Sequence, residues 1–430
     1  MTSNILENIY KCFLESNGIS TDTRKINIGE LFFALRGPNF NANSYAEMAI
    51  AKGATWAIID DSAYQIEGKT IVVEDVLVTL QELATHHRSL LQIPVIGLTG
   101  SNGKTTTKEL MHRVLDVKFK TYSTPGNYNN HIGVPLTILG IPQNTEIAII
   151  ELGANHIGEI SRLCQICQPT HGMITNVGKD HLEGFGSFEG SLRANSELYE
   201  YLIQHDGKVF VNSQDEILTN MAKRISEPIF YPEANDFSHT IFVSSDPFVH
   251  YKNQDQNEVK TKIIGDYNFH NIAAVICVGK FFGIETGKMD EAISSYVSTN
   301  NRSQWIETEK NKILMDAYNA NPSSMEAAIM NFHKMAGDRK VVILGDMYEL
   351  GDFSREEHQQ IGRLLEKYRF QLTILVGEDM KYAHKEIPAS LHFETKTGVD
   401  RYLEENPVSD STILLKASRG IGLETLRTHF

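Results

Sequence analysis

The sequence predicts an α/β protein of three domains, with a mostly parallel sheet in the second domain and a doubly wound sheet in the third. Two observations lead to this prediction. Short runs of apolar residues recur almost without polar alternation, and turn residues followed by helical segments separate most of them. Strands with this pattern are buried on both faces, as in a parallel sheet covered by helices. A chain of 430 residues has room for two to four domains.

Residues 1–93 are predicted to form a small α/β domain, because short β-rich runs alternate with helical segments. Gly37 and Pro38 follow the first long strand, and Pro94 follows the last helix. The predicted elements are a helix over 4–16, a strand over 31–35, a helix over 46–52, strands over 56–59 and 70–73, and a helix over 77–91.

Residues 94–298 are predicted to form a central domain around a mostly parallel sheet. A glycine-rich turn follows its first strand and leads into a helix over 105–115. The stretch over 226–262 is more polar and irregular, which predicts an antiparallel insertion. The predicted strands cover 95–98, 147–150, 172–175 and 208–211.

Residues 299–430 repeat the alternation of apolar runs, turns and helical segments, and they are predicted to form a second doubly wound α/β domain. The predicted strands cover 313–315, 341–344, 373–376 and 412–415.

The composition excludes several classes of protein. The formal net charge is −14 and no basic run occurs, so we expect no nucleic-acid partner. No stretch approaches the roughly 18–20 apolar residues of a membrane span, and the acidic N-terminal segment does not resemble a secretory signal. We therefore expect a cytoplasmic protein without membrane insertion. Cys164 and Cys167 form a C-x-x-C without a second metal-binding pair, which favours two buried thiols on a helix.

The strongest local motif is a glycine-rich turn between a buried strand and a helix. Backbone N–H groups in such a turn, with the positive end of the helix, bind phosphate oxygens. Lys104 would reach the β- and γ-phosphates, and the Thr105 hydroxyl would bind Mg²⁺. The spacing departs from the standard motif because Leu98 occupies the first glycine position. The motif consists of Gly100, Ser101, Asn102, Gly103, Lys104, Thr105 and Thr106.

Polar residues follow other predicted strands and would share the same sheet edge. Glu151 ends the strand over 147–150 and could bind Mg²⁺, although a strand-end carboxylate can also cap a helix. His181 lies in the polar segment over 175–182 and could face a ligand or serve the fold. His270 and Asn271 open a predicted helix, where they could contact a purine or simply start the helix.

In order and approximate spacing, these motifs resemble those of the Mur ligase family. The resembling segments are 99–106, 151–154, 175–182 and 270–271, followed by Arg302 and Asp316. The resemblance covers the whole chain. It implies a UDP-binding N-terminal domain, a central ATPase domain and a C-terminal Rossmann-like domain that brings an amine substrate.

The resemblance also implies individual roles. Lys104 and Thr105 would hold phosphates and metal, Glu151 and His181 would bind Mg²⁺, and Asn271 would face adenine with His270 beside it. Arg302 would approach the γ-phosphate of ATP, and Asp316 would approach the ribose.

Two segments, 316–325 and 344–351, resemble the branch of the family that adds D-alanyl-D-alanine to a UDP-muramoyl-tripeptide. This branch implies ATP and Mg²⁺ as cofactors, those two small molecules as substrates, and a monomeric enzyme. The segments 20–24 and 124–135 fit it as well. The substrate-binding residues it implies are Thr21, Asp22, Thr23, Arg24, Asn127, Asn130, Arg193, Asn319, Asn321 and Asp346.

One position departs from the family pattern. The resemblance implies a lysine within 193–197, carbamylated to hold a second Mg²⁺, but residue 195 is asparagine. Either the second metal binds weakly, or the site is rebuilt around Asn195. Three alternatives to a ligase that adds D-alanyl-D-alanine remain: another Mur-type ligase (tripeptide-forming or similar to folylpolyglutamate synthase), a P-loop ATPase or kinase without ligation, and a non-catalytic precursor-binding protein.

Overall fold

The N-terminal part of the chain forms a four-stranded parallel sheet in the computed structural model, which describes residues 3–430. Residues 1 and 2 of the predicted first domain lie outside the described range. Strand order is β1-β2-β5-β6, and β3 pairs with β4 in a small hairpin. The elements are α1 (Ser3–Glu15), β1 (Ile19–Ser20), β2 (Leu31–Phe33), β3 (Arg36–Gly37), β4 (Phe40–Asn41), α2 (Ala46–Ala51), β5 (Trp56–Ile59), β6 (Thr70–Val72) and α3 (Val76–Leu90).

The central part contains a six-stranded sheet in which every neighbouring pair is parallel, in the order β12-β11-β10-β7-β9-β8. Later strands are added on opposite sides of β7, which places a crevice at its carboxyl end. The elements are β7 (Val95–Thr99), α4 (Lys104–Leu115), β8 (Thr121–Ser123), α5 (Gly133–Leu139), β9 (Ile147–Glu151), α6 (Glu159–Cys167), β10 (His171–Ile174), α7 (Leu182–Phe185), α8 (Phe188–Gln204), β11 (Lys208–Asn212), α9 (Glu216–Ala222) and β12 (Ile229–Tyr231).

The polar stretch over 226–262 divides between two sheets. Its first strand, β12, pairs in parallel with β11 and extends the central sheet, so the prediction of an antiparallel insertion is wrong there. The prediction is confirmed for the remainder, which forms a separate antiparallel sheet. β12 was not predicted as part of the central sheet. It is an edge strand that is only half-buried at Ile229 and Phe230, so its hydrophobic pattern is weak. The further elements are β13 (Ile241–Ser245), β14 (Phe248–Lys252), β15 (Glu258–Ile264), α10 (Asn268–Phe281) and α11 (Thr286–Ser295).

The C-terminal part forms a six-stranded sheet in the order β16-β17-β21-β18-β19-β20. All its pairs are parallel except β16 with β17, and this antiparallel strand was not predicted. The elements are β16 (Gln304–Glu307), β17 (Asn311–Asp316), α12 (Pro322–Lys334), β18 (Lys340–Gly345), α13 (Ser354–Tyr368), β19 (Leu372–Val376), α14 (Met380–Glu386), β20 (Leu391–Phe393), α15 (Lys396–Glu405) and β21 (Ser411–Lys416).

The first two sheets share one hydrophobic core, because α3 packs against both α5 and α6. Arg88 on α3 fixes this contact by donating to the carbonyl oxygens of Cys167 and Gln168, at 2.8 and 3.0 Å. Cys164 and Cys167 are buried free thiols on α6, as predicted, and burial raises the pKa of Cys167 to about 12. The predicted α/β class is confirmed. No helix within residues 3–430 is long and apolar enough to cross a membrane.

Two glycines in helices differ in how closely neighbouring atoms approach them. A Cβ atom at Gly190 would lie 2.0 Å from the carbonyl oxygen of Phe185, whereas one at Gly287 on α11 would meet nothing within 4 Å. We expect Gly190→Ala to lower the free energy of unfolding by about 1–3 kcal/mol through overpacking. The control Gly287→Ala should raise it by about 0.5–1 kcal/mol. Urea denaturation of both variants measures these changes, and equal effects would contradict the close packing of α8 at Gly190.

Candidate active site

A cavity of about 970 Å³ lies between the carboxyl edge of the central sheet and the loops of the C-terminal sheet. Of the residues predicted from the sequence, it brings together most of the phosphate loop and residues from six other segments. Those lining it are Ser101, Asn102, Gly103, Lys104, Thr105, Thr106, Asn127, Asn130, Glu151, His181, His270, Asn271, Arg302, Asp316, Asn319 and Asn321.

The phosphate loop runs from the end of β7 to the start of α4, as predicted. Gly100 has a φ of 133°, and a Cβ atom there would lie 2.1 Å from the hydroxyl of Thr175, so only glycine fits. The Lys104 amine folds back to donate to the carbonyl of Gly100. Burial lowers the pKa of Lys104, and the nearby carboxylates of Asp180 and Glu151 oppose that shift. The loop thus presents a cation and free backbone donors at the N-terminus of α4, as phosphate binding requires.

Glu151 is the centre of a buried polar cluster. It accepts hydrogen bonds from the hydroxyl of Thr105 at 3.2 Å and from the amide of Asn129 at 2.9 Å. The Lys108 amine lies 3.2 Å from its carboxylate, and both side chains are almost fully buried. Lys108 and Asn129 were not predicted from the sequence as residues of the site. The signal for Lys108 was its position one turn after Lys104, on the same face of α4.

Thr105 and Glu151 fit a Mg²⁺ ion that also binds phosphate. Residues 3–430 contain no group of three or more His, Cys, Asp and Glu side chains arranged to hold a metal by themselves. Mg²⁺ commonly binds through one or two protein oxygens, with phosphate oxygens and water completing its shell. The hydroxyl of Thr105 beside the carboxylate of Glu151 supplies such a pair.

His181 begins α7 in a left-handed conformation, with a φ of 45°. Its Nδ1 atom lies 2.5 Å from a carboxylate oxygen of Glu349, which belongs to the C-terminal part of the chain. This contact lowers the pKa of Glu349. His181 therefore bridges two parts of the molecule at the cavity wall, and its role as a Mg²⁺ ligand stays a prediction.

Asn195 is buried in a hydrogen-bond network behind the phosphate loop and does not line the cavity. Its amide oxygen accepts from the Thr99 hydroxyl at 3.0 Å, and its amide nitrogen donates to the Ser191 carbonyl at 2.9 Å. In the same network, the hydroxyls of Ser191 and Ser101 each donate to Asp180 at 2.7 Å. Both ends of the Asn195 amide are used, which favours the hypothesis of a site rebuilt around asparagine.

The loop after β17 faces the phosphate loop across the cavity. The Asn321 amide nitrogen donates to the side-chain oxygen of Asn102 at 3.0 Å, and its oxygen caps α12 by accepting from the Ser324 N–H at 2.8 Å. Asp316 forms an ion pair with Lys416 at 2.6 Å. Asn319 is exposed, and its side-chain oxygen accepts from the next backbone N–H.

His270 and Asn271 lie on the first turn of α10, beside the phosphate loop. A Cβ atom at Gly103 would lie 2.7 Å from the Asn271 side chain, so this amide directly covers the loop. Burial lowers the pKa of His270, which favours the neutral imidazole. The two residues therefore start a helix and also line the cavity, and their contact with a purine stays a prediction.

Comparison with known proteins agrees with this geometry. Residues 98–279 match the Mur ligase middle domain, and residues 301–419 match the Mur ligase glutamate ligase domain. A relative from Bacillus subtilis (strain 168), named UDP-N-acetylmuramoyl-tripeptide–D-alanyl-D-alanine ligase, is 34% identical over 421 residues, covering 95% of this chain and 92% of its own. The chain belongs to the Mur ligase family. A relative with the same name from Escherichia coli (strain K12) is 32% identical, over 95% of this chain and 92% of its own.

Solved structures agree with this membership. MurF from Acinetobacter baumannii is 28% identical and superimposes with a TM-score of 0.88, covering 99% of this chain and 98% of its own. MurF ligase from Thermotoga maritima in complex with ADP is 25% identical, with a TM-score of 0.85 and 97% coverage of both chains.

Several residues predicted to bind substrate do not line the cavity of this Mur ligase. The segment Thr21, Asp22, Thr23 and Arg24 is a turn that follows β1, where Arg24 pairs with Asp22 at 2.8 Å and lowers its pKa to about 2. Arg193 is exposed on α8. The roles of these five residues stay predictions.

Two further predicted residues, Gly100 and Asp346, also lie outside the cavity lining. Gly100 acts through backbone geometry at the end of β7. The carboxylate of Asp346 is buried and accepts from the N–H groups of Asp379 and Met380, at 3.1 and 2.8 Å, where α14 begins. These hydrogen bonds tie the residue after β18 to the start of α14, and the role of Asp346 in substrate binding stays a prediction.

The Asn195 network generates a prediction. We expect Asn195→Lys to reduce ligation at least tenfold and lower the unfolding temperature, because a cation would replace an amide whose two ends both bind protein. The matched control is Gln204→Lys, at the exposed end of the same helix, which should change neither quantity. Rates measured with and without bicarbonate complete the test. A rate for Asn195→Lys that rises with bicarbonate would show that the site still accepts a carbamylated lysine.

Proposed function

We propose that this Mur ligase uses ATP to join D-alanyl-D-alanine to a UDP-N-acetylmuramoyl-tripeptide through an acyl phosphate, as a step of peptidoglycan precursor synthesis. The observation that carries the proposal is the cavity itself, in which the phosphate loop faces the loop after β17. Asn102 and Asn321 join the two loops at 3.0 Å. A phosphorylated carboxylate made on one side can therefore meet an amine held on the other. The names of the relatives described above supply the two substrates.

The reaction divides into two displacements. The terminal carboxylate of the tripeptide attacks the γ-phosphorus of ATP, forming a carboxyl–phosphate bond as ADP leaves. The dipeptide amine then attacks the acyl carbon, phosphate leaves, and the amine loses a proton to form the amide. The first displacement needs little acid–base help, since a carboxylate is already a nucleophile and ADP is a good leaving group. Catalysis there is positioning and neutralisation of charge by Lys104 and Arg302.

The residues around the cavity supply the remaining parts. Thr105 and Glu151 would hold Mg²⁺, which when bound neutralises charge on the transferring phosphate. Lys108 balances the Glu151 carboxylate inside the protein. Enclosing the intermediate between two domains keeps water from hydrolysing it.

Further assignments belong to the same proposal. Asn271 and His270 contact adenine, Asp316 the ribose, and Asn319 and Asn321 the dipeptide. The segment 21–24, with Asn127 and Asn130, binds the UDP-muramoyl-peptide. The domains divide near residues 93 and 298, and the enzyme acts as a cytoplasmic monomer.

A turnover assay tests the proposed reaction. ATP and Mg²⁺ are supplied with a UDP-muramoyl-tripeptide whose third residue is diaminopimelate or lysine, with and without D-alanyl-D-alanine. Release of ADP should depend on the tripeptide, and the amide product should appear only when the dipeptide is added. ADP release that needs neither substrate would favour an ATPase or kinase, and no release would favour a precursor-binding protein.

A prediction follows for the phosphate loop. Lys104→Ala should leave the protein folded but reduce ligation by at least about a thousandfold, because the amine supplies charge at the phosphates. Lys118→Ala is the matched control, since Lys118 follows the opposite end of α4 and donates to the carbonyls of Phe282 and Gly283. This control should keep the wild-type rate. Retention of more than about a tenth of the activity by Lys104→Ala would show that the loop does not bind phosphate as described.

A further inference from the structure

The ring of Tyr318 lines the cavity and contacts two arginine side chains, of which Arg302 also lines the cavity and Arg419 does not. The guanidinium carbon of Arg302 is 3.7 Å from the ring centroid, and that of Arg419 is 5.4 Å from it. Both lie within the range of a cation–π contact, and Arg302 is the nearer and better covered of the two. Arg419 follows β21 and is exposed. The ring thus contacts two cations near the ends of β17 and β21.

The turn that carries Arg419 is fixed by its neighbour, Ser418. The Ser418 N–H donates to the carbonyl of Asp346 at 3.0 Å. Its hydroxyl donates to the carbonyl of Ala320 at 3.4 Å and accepts from the Tyr348 N–H at 2.9 Å. Three adjacent strands, β17, β21 and β18, are therefore tied together at their carboxyl ends. Ligands of open α/β sheets bind at this kind of edge.

Arg419, unlike the two lysines of this edge, has no acidic partner. Lys416 pairs with Asp316 at 2.6 Å, and Lys179 pairs with Glu357 at 2.7 Å. Within the described part of the chain, no carboxylate lies within ion-pair distance of Arg419, whose guanidinium contacts the ring of Tyr318. A guanidinium that contacts a ring and has no acidic partner can use its N–H groups for a ligand, and their planar fork matches a carboxylate.

The two distances to the Tyr318 ring set an upper limit on the separation of the two guanidinium groups, and that limit is long enough for a dipeptide. Their separation cannot exceed the sum of the two distances to the Tyr318 centroid, and an extended dipeptide spans about 7 Å. Arg302 lies on the side of the cavity that holds the phosphate loop, and its positive charge contributes to the lowered pKa of Lys104. A dipeptide whose amine points towards the acyl phosphate would then place its other end near Arg419.

We propose that Arg419 binds the C-terminal carboxylate of the incoming dipeptide and so makes the enzyme select a free carboxylate at that end. This inference rests on the proposed function and deepens it, because it names the group that the dipeptide must carry. Arg419 would act in binding and orientation, with the amine placed for attack at the phosphate side of Tyr318.

The test compares D-alanyl-D-alanine with its C-terminal amide, D-alanyl-D-alaninamide, as the amine substrate. The wild-type enzyme should have a kcat/KM for the free acid about 10- to 100-fold higher than for the amide. This ratio corresponds to the free energy of a hydrogen bond between charged groups. Arg419→Gln should lose this preference, with the KM for ATP unchanged. Arg419→Lys should keep part of it, because the charge remains without the fork.

The matched control is Arg355→Gln. Arg355 is also exposed and lies 5.8 Å from the centroid of a tyrosine ring, that of Tyr382, but this tyrosine, unlike Tyr318, does not line the cavity. This variant should keep the full preference for the free acid. A preference for the free acid that survives in Arg419→Gln would overturn the inference. An equal loss of activity towards the acid and the amide would also overturn it, because such a loss indicates only a structural role. A rise in the KM for ATP would assign Arg419 to the nucleotide. Absence of ligation by the wild type with either substrate would instead overturn the proposed function itself.

Discussion

The close packing of the phosphate loop against the segment after β10 is the contact on which the rest of the site depends. The hydroxyl of Thr175 and the amide of Asn176 both donate to the carbonyl of Asn102, at 2.7 and 2.8 Å. The N–H of Ser101 donates to the carbonyl of Asn176 at 3.0 Å, and Gly100 leaves no space for a side chain. Since the loop is fixed on this side, its remaining N–H groups and the first turn of α4 must face the cavity.

Charge around this loop is balanced inside the protein although the chain as a whole is strongly acidic. Lys108 faces Glu151, and Lys104 lies near Asp180. Buried charges are tolerated only with such partners, because an isolated ion in the interior costs several kcal/mol. A nucleotide arriving with its metal ion adds further charges of both signs. The site can therefore bind a highly charged ligand without depending on the field of the whole molecule.

The sequence predicted the strands of the two large sheets well, since runs such as 147–150 and 341–344 are buried on both faces. It failed at the sheet edges. β12 and β16 are partly exposed, so their hydrophobic pattern is weak. The same division holds within the site. The phosphate loop is local and carries its own signature, whereas Asn129 is defined by its contact with Glu151, 22 residues away in the chain. Contacts of this kind depend on tertiary structure, which local patterns do not encode.

The Asn321 side chain links the phosphate loop to the loop after β17. Its oxygen belongs to the cap of α12, and its nitrogen reaches Asn102. Separation of the two loops would cost only the nitrogen its partner, and solvent could replace it at a net cost of about 1 kcal/mol. The oxygen would keep the cap of α12, so the start of the helix would stay intact whether or not the two loops are in contact. One amide thereby holds its own helix with one end and the opposite loop with the other.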